Sequence, residues 1–151
     1  MSDTRAERDW TRDGFPFRRT LETRWSDNDR YGHVNNAVYY TLFEQLMMGF
    51  LEQTAALDLD ALGLRCYTVE NGCRYHNALV HPCTVEAGLR VARIGRSSVR
   101  YELALFADGD PAVRATGHVV DVFVDSRTER PTALPGAVHS ALAPLTEYTD
   151  A

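Results

Sequence analysis

No apolar stretch of the 151 residues reaches the roughly 20 that cross a bilayer, so no membrane-spanning helix is expected. The opening segment, Met1 to Asp13, is charged and lacks the apolar core of a secretory signal, which makes the cytoplasm the expected address. Cysteine is scarce. Cys66, Cys73 and Cys83 cannot all pair with one another, and a chain without an export signal has little use for a disulfide framework, so reduced thiols are expected. Positive charge is in deficit, with 16 Lys and Arg against 21 Asp and Glu and a formal net charge of -5. That balance gives no support to a nucleic-acid partner, although it leaves room for a local basic pocket holding one phosphorylated ligand. No serine stands in a Gly-x-Ser-x-Gly elbow, so a serine hydrolase mechanism has no footing. There is no internal repeat and no low-complexity segment. At 44% hydrophobic residues the chain fits one domain with its own core and is too short for two enzyme domains with a linker.

What is present is strongly patterned. Residues 1–14 are polar and aperiodic apart from Trp10 and are expected to form a flexible tail, leaving 15–151 as a single domain. From Phe17 to Trp25, the apolar Phe17, Leu21 and Trp25 alternate with Arg18, Thr20, Glu22 and Arg24, the pattern of a strand. Ser26 to Asn36 is dense in Asp, Asn and Gly, which turn the backbone and cap helices. From Asn36 to Ala56, Val38, Tyr39, Leu42, Phe43, Leu46, Met47, Phe50 and Leu51 recur at helical spacing. Tyr40 and Met48 occupy much of the remaining face, so the helix is expected to be buried on more than one side. Beyond the Gly63 turn four strands are expected at about 66–77, 84–95, 97–107 and 112–125, mostly antiparallel because their connections are short. The apolar run from Val119 to Val124 marks the last of these as central. Prolines extend Arg130 to Pro135, and Gly136 to Leu142 can close one or two helical turns. The sum is an α+β fold in which a curved antiparallel sheet of about five strands wraps one long helix, an order that several folds share.

The segment Trp25 to Glu44, WSDNDRYGHVNNAVYYTLFE, discriminates among them. It resembles the signature of the 4-hydroxybenzoyl-CoA thioesterase-like hotdog family, a D-x-D-x-x-G-H-V-N-N-x-x-Y pattern matched here by Asp27, Asp29, Gly32, His33, Val34, Asn35, Asn36 and Tyr39. The resemblance implies a hotdog fold over about Phe17 to Pro135. It further implies that Asp29 is the catalytic carboxylate, as nucleophile or as general base, and that the backbone N–H of Asn36 polarises the thioester oxygen. Elementary electrostatics agrees with that arrangement, since a helix N-terminus offers unpaired N–H groups and partial positive charge to an oxygen that gains negative charge in the transition state.

Each residue also has an ordinary reading. Asp, Asn and Gly before a helix commonly serve as caps and turns, and Asp27 is expected to be structural, bonding loop N–H groups. His33 is a loop-packing side chain, a substrate-pocket donor, or a general acid or base. Asn35 either orients water or the acyl group or caps the helix. Gly95-Arg96-Ser97-Ser98 lies at a strand turn where the family passes coenzyme A; there Arg96, with Arg93 or Arg100, and Ser97 and Ser98 are candidates to meet the substrate, the alternative being solvated hairpin residues. Cys73, His76, His81 and Cys83 fall within eleven residues, but on a strand Cys73 and His76 point to opposite faces, so packing is preferred to a metal site. The family's Pro-x-x-x-Gly-Asp-like turn between the second and third strands is replaced by NALVHPC.

The expected activity is hydrolysis of an acyl-CoA thioester to the free acid and coenzyme A, with coenzyme A present only as part of the substrate and with no metal or redox cofactor. The rivals are an acyl-carrier-protein thioesterase with the same chemistry, and a hotdog module that binds acyl-CoA or an aromatic ligand without turnover. A homodimer or homotetramer is expected, since one curved sheet around one helix leaves an open edge and a pocket with a single wall.

Overall fold

The computed structural model describes residues 7–149. Its elements run in chain order as strand β1 (Phe17–Glu22), helix α1 (Asn36–Met48), strands β2 (Leu64–Tyr75), β3 (Thr84–Ile94), β4 (Ser98–Ala107) and β5 (Val113–Asp125), and helix α2 (Gly136–Leu142). The five strands form one antiparallel sheet in the order β1-β3-β4-β5-β2. The period-2 pattern is what curls this sheet around the helix: Val85, Ala87, Leu89 and Val91 of β3 and Val99, Tyr101, Leu103 and Leu105 of β4 are buried on its concave face. Tyr39, Leu42, Phe43, Leu46 and Met47 of α1 press into that face. Phe43 seats against Gly117 of β5, where a Cβ would lie 2.5 Å from the ring, so a larger residue there would push the helix off the sheet. Among the described residues no helix is long and apolar enough to cross a membrane.

The observed strands match the sequence-based ranges to within two residues except for the first, which ends three residues early. β1 stops at Glu22, and Trp25 opens a 3-10 turn, Trp25–Asp27, with its side chain 88% exposed. Alternation misplaces Trp25 because Asp27 takes the backbone N–H of Arg24 and thereby folds the chain out of the strand. The helix is continuous from Asn36 through a π-helical extension, Gly49–Thr54, close to the expected end at Ala56. It is not wrapped on all sides in the protomer. Asn36, Tyr40 and Glu44 lie on an open face beside β2. β5 is interior, hydrogen-bonded to both β4 and β2, while β4 is the middle strand.

The tail expected over 1–14 is described from residue 7, and residues 7–14 are docked on the convex face of the sheet. Arg12 bonds Glu86 and the carbonyls of Asp110 and Ala107 at 2.6–2.8 Å. Glu7 is buried against Arg74 and Thr116. Trp10 packs edge-on against Phe15 in a small second core with Phe106 and Val113. Beneath Trp10, the Arg90 guanidinium lies between the rings of Trp10, Phe15 and Tyr148 and pairs with Glu102 at 2.7 Å. These contacts join residues distant in sequence, which local polarity does not reveal.

Candidate active site

The loop between β1 and α1 is built by its own polar groups. The Asp29 N–H bonds the His33 carbonyl at 2.8 Å and the Gly32 N–H bonds the Asp29 carbonyl at 3.1 Å, closing a tight turn. Gly32 stands at φ +77, a left-handed conformation that favours glycine. The Val34 N–H reaches the Leu79 carbonyl, and Asn28 exchanges bonds with the backbone of His81, so the loop is tied to the chain that precedes β3. Asn35 caps α1, its side-chain oxygen accepting from the Ala37 N–H at 2.9 Å, while its own N–H goes to the Asp27 carbonyl. The first N–H of the helix, that of Asn36, has no partner among the described residues.

The two acids of this loop sit in contrasting settings. Asp27 is 2% exposed, and both its oxygens are taken by the backbone N–H and guanidinium of Arg24 at 2.7–3.0 Å. Burial alone raises its carboxyl pKa; the Arg24 hydrogen bonds and charge more than reverse this and hold it below the ordinary value. Asp29 is half-buried, and one oxygen accepts the Tyr31 N–H at 2.8 Å, leaving the other without a partner among the described residues.

Asp29, His33, Asn36, Tyr39, Tyr75 and His76 line a common cavity of about 300 Å³. The Tyr75 hydroxyl donates to the Asn36 carbonyl at 3.3 Å, and the Tyr39 and Tyr75 rings meet edge to face at 4.9 Å, so the end of β2 buttresses the helix start. Burial pushes the phenol pKa of both tyrosines above its ordinary value. His33 is exposed at the rim of this cavity rather than packed within the loop. Asn35 performs the capping role, and Gly32 shapes the turn. The sequence does not single out Tyr75 and Asn77, and it offers His76 only as a metal ligand. The available signal is their place where a strand ends on the helix start, but that requires the register of β2, which sequence alone does not give.

Arg96, Ser97 and Ser98 do not join Asp29 in the protomer. Their backbones hold the β3–β4 hairpin, the Arg96 and Ser97 carbonyls accepting from Leu134 and Phe123. The Asp29 loop lies at the Thr84 end of β3 and the hairpin at the Ile94 end, separated by a strand on the order of 35 Å long. Of the groups weighed as zinc ligands, Cys73 faces the helix, His76 bonds Thr116, His81 bonds Thr23 and Cys83 approaches the Thr84 carbonyl, so they do not converge.

Comparison with known proteins places this geometry. The model of the thioesterase-like superfamily matches residues 23–142. The PA5185 protein of Pseudomonas aeruginosa strain PAO1 is 41% identical and superposes with a TM-score of 0.85 over 91% of this chain and 96% of that one. A thioesterase from Thermus thermophilus, solved with coenzyme A and Zn, is 28% identical with a TM-score of 0.74 over 88% of this chain and 96% of that one. No curated protein matches. The helix-wrapping sheet, the loop signature and these likenesses together make the chain a member of the thioesterase-like superfamily, with the hotdog fold.

Proposed function

We propose that this protein hydrolyses an acyl-CoA thioester to the free acid and coenzyme A. The observation that carries the reading is the pairing, in one cavity, of an Asp29 oxygen with no partner and an Asn36 N–H with none, among the described residues. The thioester carbonyl oxygen lies on the Asn36 N–H, where helix dipole and hydrogen bond stabilise the oxyanion as it forms. Acting as base, Asp29 takes a proton from water while the water oxygen bonds the carbonyl carbon; the tetrahedral adduct then expels the thiolate, which recovers the proton. Acting as nucleophile, Asp29 itself bonds the carbonyl carbon and expels the thiolate, and water then hydrolyses the resulting anhydride. The solved thioesterase from Thermus thermophilus carrying coenzyme A supports this carrier over an acyl-carrier protein.

A second copy completes the site. β2 is a 12-residue edge strand whose large Tyr67, Val69 and Tyr75 are exposed, a long unpaired edge of the kind natural sheets cover. Antiparallel pairing of two β2 edges across a twofold axis lays the Leu64 end of one beside the Tyr75 end of the other, directing the 95–98 hairpin of the second copy towards the first copy's cavity. That is the route by which Arg96, Ser97 and Ser98 meet the coenzyme A moiety. Light scattering should give at least a dimer, and an active monomer at micromolar concentration would contradict the shared site.

Thiol release measured across short, medium, long and aromatic acyl-CoAs, alongside an acyl-carrier protein, tests the activity. Turnover of at least one acyl-CoA is expected, and it should survive chelator because Cys73, His76, His81 and Cys83 diverge. Binding without thiol release would favour the ligand-binding module instead.

A further inference from the structure

Behind the open face of α1, the interior holds polar groups that the mechanism does not use. Asp121 of β5 is 3% exposed on the concave side of the sheet, directly across from Thr68 of β2. One oxygen accepts the Thr68 hydroxyl at 2.7 Å, and the Cys66 thiol lies close by. Tyr101 of β4 is fully buried, and its hydroxyl, within the electrostatic reach of Asp121 and Cys66, has no hydrogen-bond partner among the described residues. Glu44, exposed on the open face of α1, lies within electrostatic reach of Asp121; partial burial and then that negative charge push its carboxyl up. Neither Asp121 nor Glu44 has an ion pair among the described residues.

Stability does not account for this cluster. A buried hydroxyl left unbonded forfeits its water without return, and a carboxyl in an apolar layer is costlier still, whereas Phe and Leu would fill the same space at no such cost. The arrangement lacks one partner able both to donate and to accept, which is what an alcohol does.

The cluster also lies on the path from the reacting carbonyl. Asn36, Tyr40 and Glu44 follow one another at four-residue steps along the open helix face, so Glu44 is roughly 12 Å beyond the Asn36 N–H. Past it, at the far end of α1 and beside the start of β2, lies a cavity of about 590 Å³ whose walls include Met48, Leu51, Glu52, Leu64, Arg65 and Cys66. An acyl chain anchored at Asn36 and laid along this face meets the polar cluster midway and, beyond it, a chamber in which Met48, Leu51 and Leu64 are interspersed with Glu52, Asp58 and Arg65.

We propose that Asp121, Tyr101 and Glu44 are specificity-determining residues that bind a hydroxyl carried roughly 12 Å along the acyl chain, about ten bonds from the thioester, so that mid-chain hydroxylated acyl-CoAs are preferred to plain fatty acyl-CoAs. This rests on the thioesterase reading above and adds the substrate class to it. The test compares an eighteen-carbon acyl-CoA bearing a hydroxyl on its tenth carbon with the unsubstituted chain, in the wild type, Tyr101→Phe and Asp121→Val. In parallel, calorimetry measures binding of the two chains as thioether analogues that cannot be hydrolysed. The hydroxylated chain should be favoured at least tenfold, through KM more than kcat, and Tyr101→Phe should reduce that ratio to below about threefold. Tyr101→Phe removes only a hydroxyl, so it carries the test even if Asp121→Val fails to fold. Equal kcat/KM for the two chains in the wild type overturns the inference while leaving the thioesterase intact. If neither chain is turned over, the activity proposal loses support and the thioether affinities decide this one: a hydroxyl preference upholds it and equal binding overturns it. An Asp121→Val protein that loses its dimer by sedimentation but keeps the wild-type ratio also overturns it, making the cluster an interface device.

Discussion

The loop that joins β1 to α1 contains two turns of similar composition, 24–27 and 29–33, each organised around an aspartate. In the first, Arg24 occupies both oxygens of Asp27, and the Asp27 carbonyl holds the Asn35 N–H. In the second, Asp29 closes its turn through its backbone and one oxygen, and keeps the other open to a cavity. The lesson is that satisfied polar groups hold a fold, while unsatisfied ones beside a cavity are available for chemistry. The convex face repeats the first case, with Glu7, Arg12 and Arg90 all partnered by residues from other elements, whereas on the concave side the Tyr101 hydroxyl has no partner among the described residues.

The sharpest way to break this contrast is Asp29→Asn, which keeps shape and most hydrogen bonds and removes the charge. It should lower kcat by about a hundredfold or more with little change in melting temperature, measured by thiol release and thermal melts. Next comes Asn36→Pro, which deletes the free N–H at the first helical position, where proline is tolerated. Asn35 already has the extended conformation, φ -59 and ψ 140, that a following proline demands. A fall in kcat of about a hundredfold is expected, with Asn36→Ala, which keeps the N–H, close to wild type. An active proline variant would remove the helix start from the mechanism.

Asp27→Asn should act on stability instead, by about 1 kcal/mol, or roughly 2–4 °C in melting temperature for a domain of this size. Because the folded protein holds this carboxyl below its ordinary value, its contribution is complete above about pH 4 and is lost as the pH falls through the folded pKa. The gap in melting temperature between wild type and variant should therefore narrow in acid, and a gap that widens instead would mean Asp27 is not the stabilising anion described. The smallest effect is expected from Tyr75→Phe, which loses one 3.3 Å bond to the Asn36 carbonyl and keeps the ring contact with Tyr39. Denaturant unfolding should register at most about 1 kcal/mol.

Much of this is legible in the sequence because it is local. Strand alternation, helical periodicity and the cap at Asn35 involve residues within a few positions of one another, and the loop signature sets Asp29, His33 and Asn36 relative to the helix start. What is not legible depends on long-range register. Tyr75 reaches Asn36 only because β2 ends where the helix begins, and Asp121 meets Thr68 only through the pairing of β5 with β2, across an irregularity between Thr68 and Glu70. The docking of residues 7–14 follows the same rule, since Trp10 and Arg90 are eighty positions apart in the chain. Arg96, Ser97 and Ser98 show the converse: a motif read correctly as a hairpin is assigned to a site that its own protomer does not place nearby.

The most direct test of the account is to measure, on one acyl-CoA substrate, the kinetics and thermal melts of Asp29→Asn and Asp27→Asn side by side. Asp29→Asn should be folded and nearly inactive, and Asp27→Asn active and less stable. A well-folded Asp27→Asn without turnover beside an active Asp29→Asn would contradict it and move the catalytic carboxylate to the other turn.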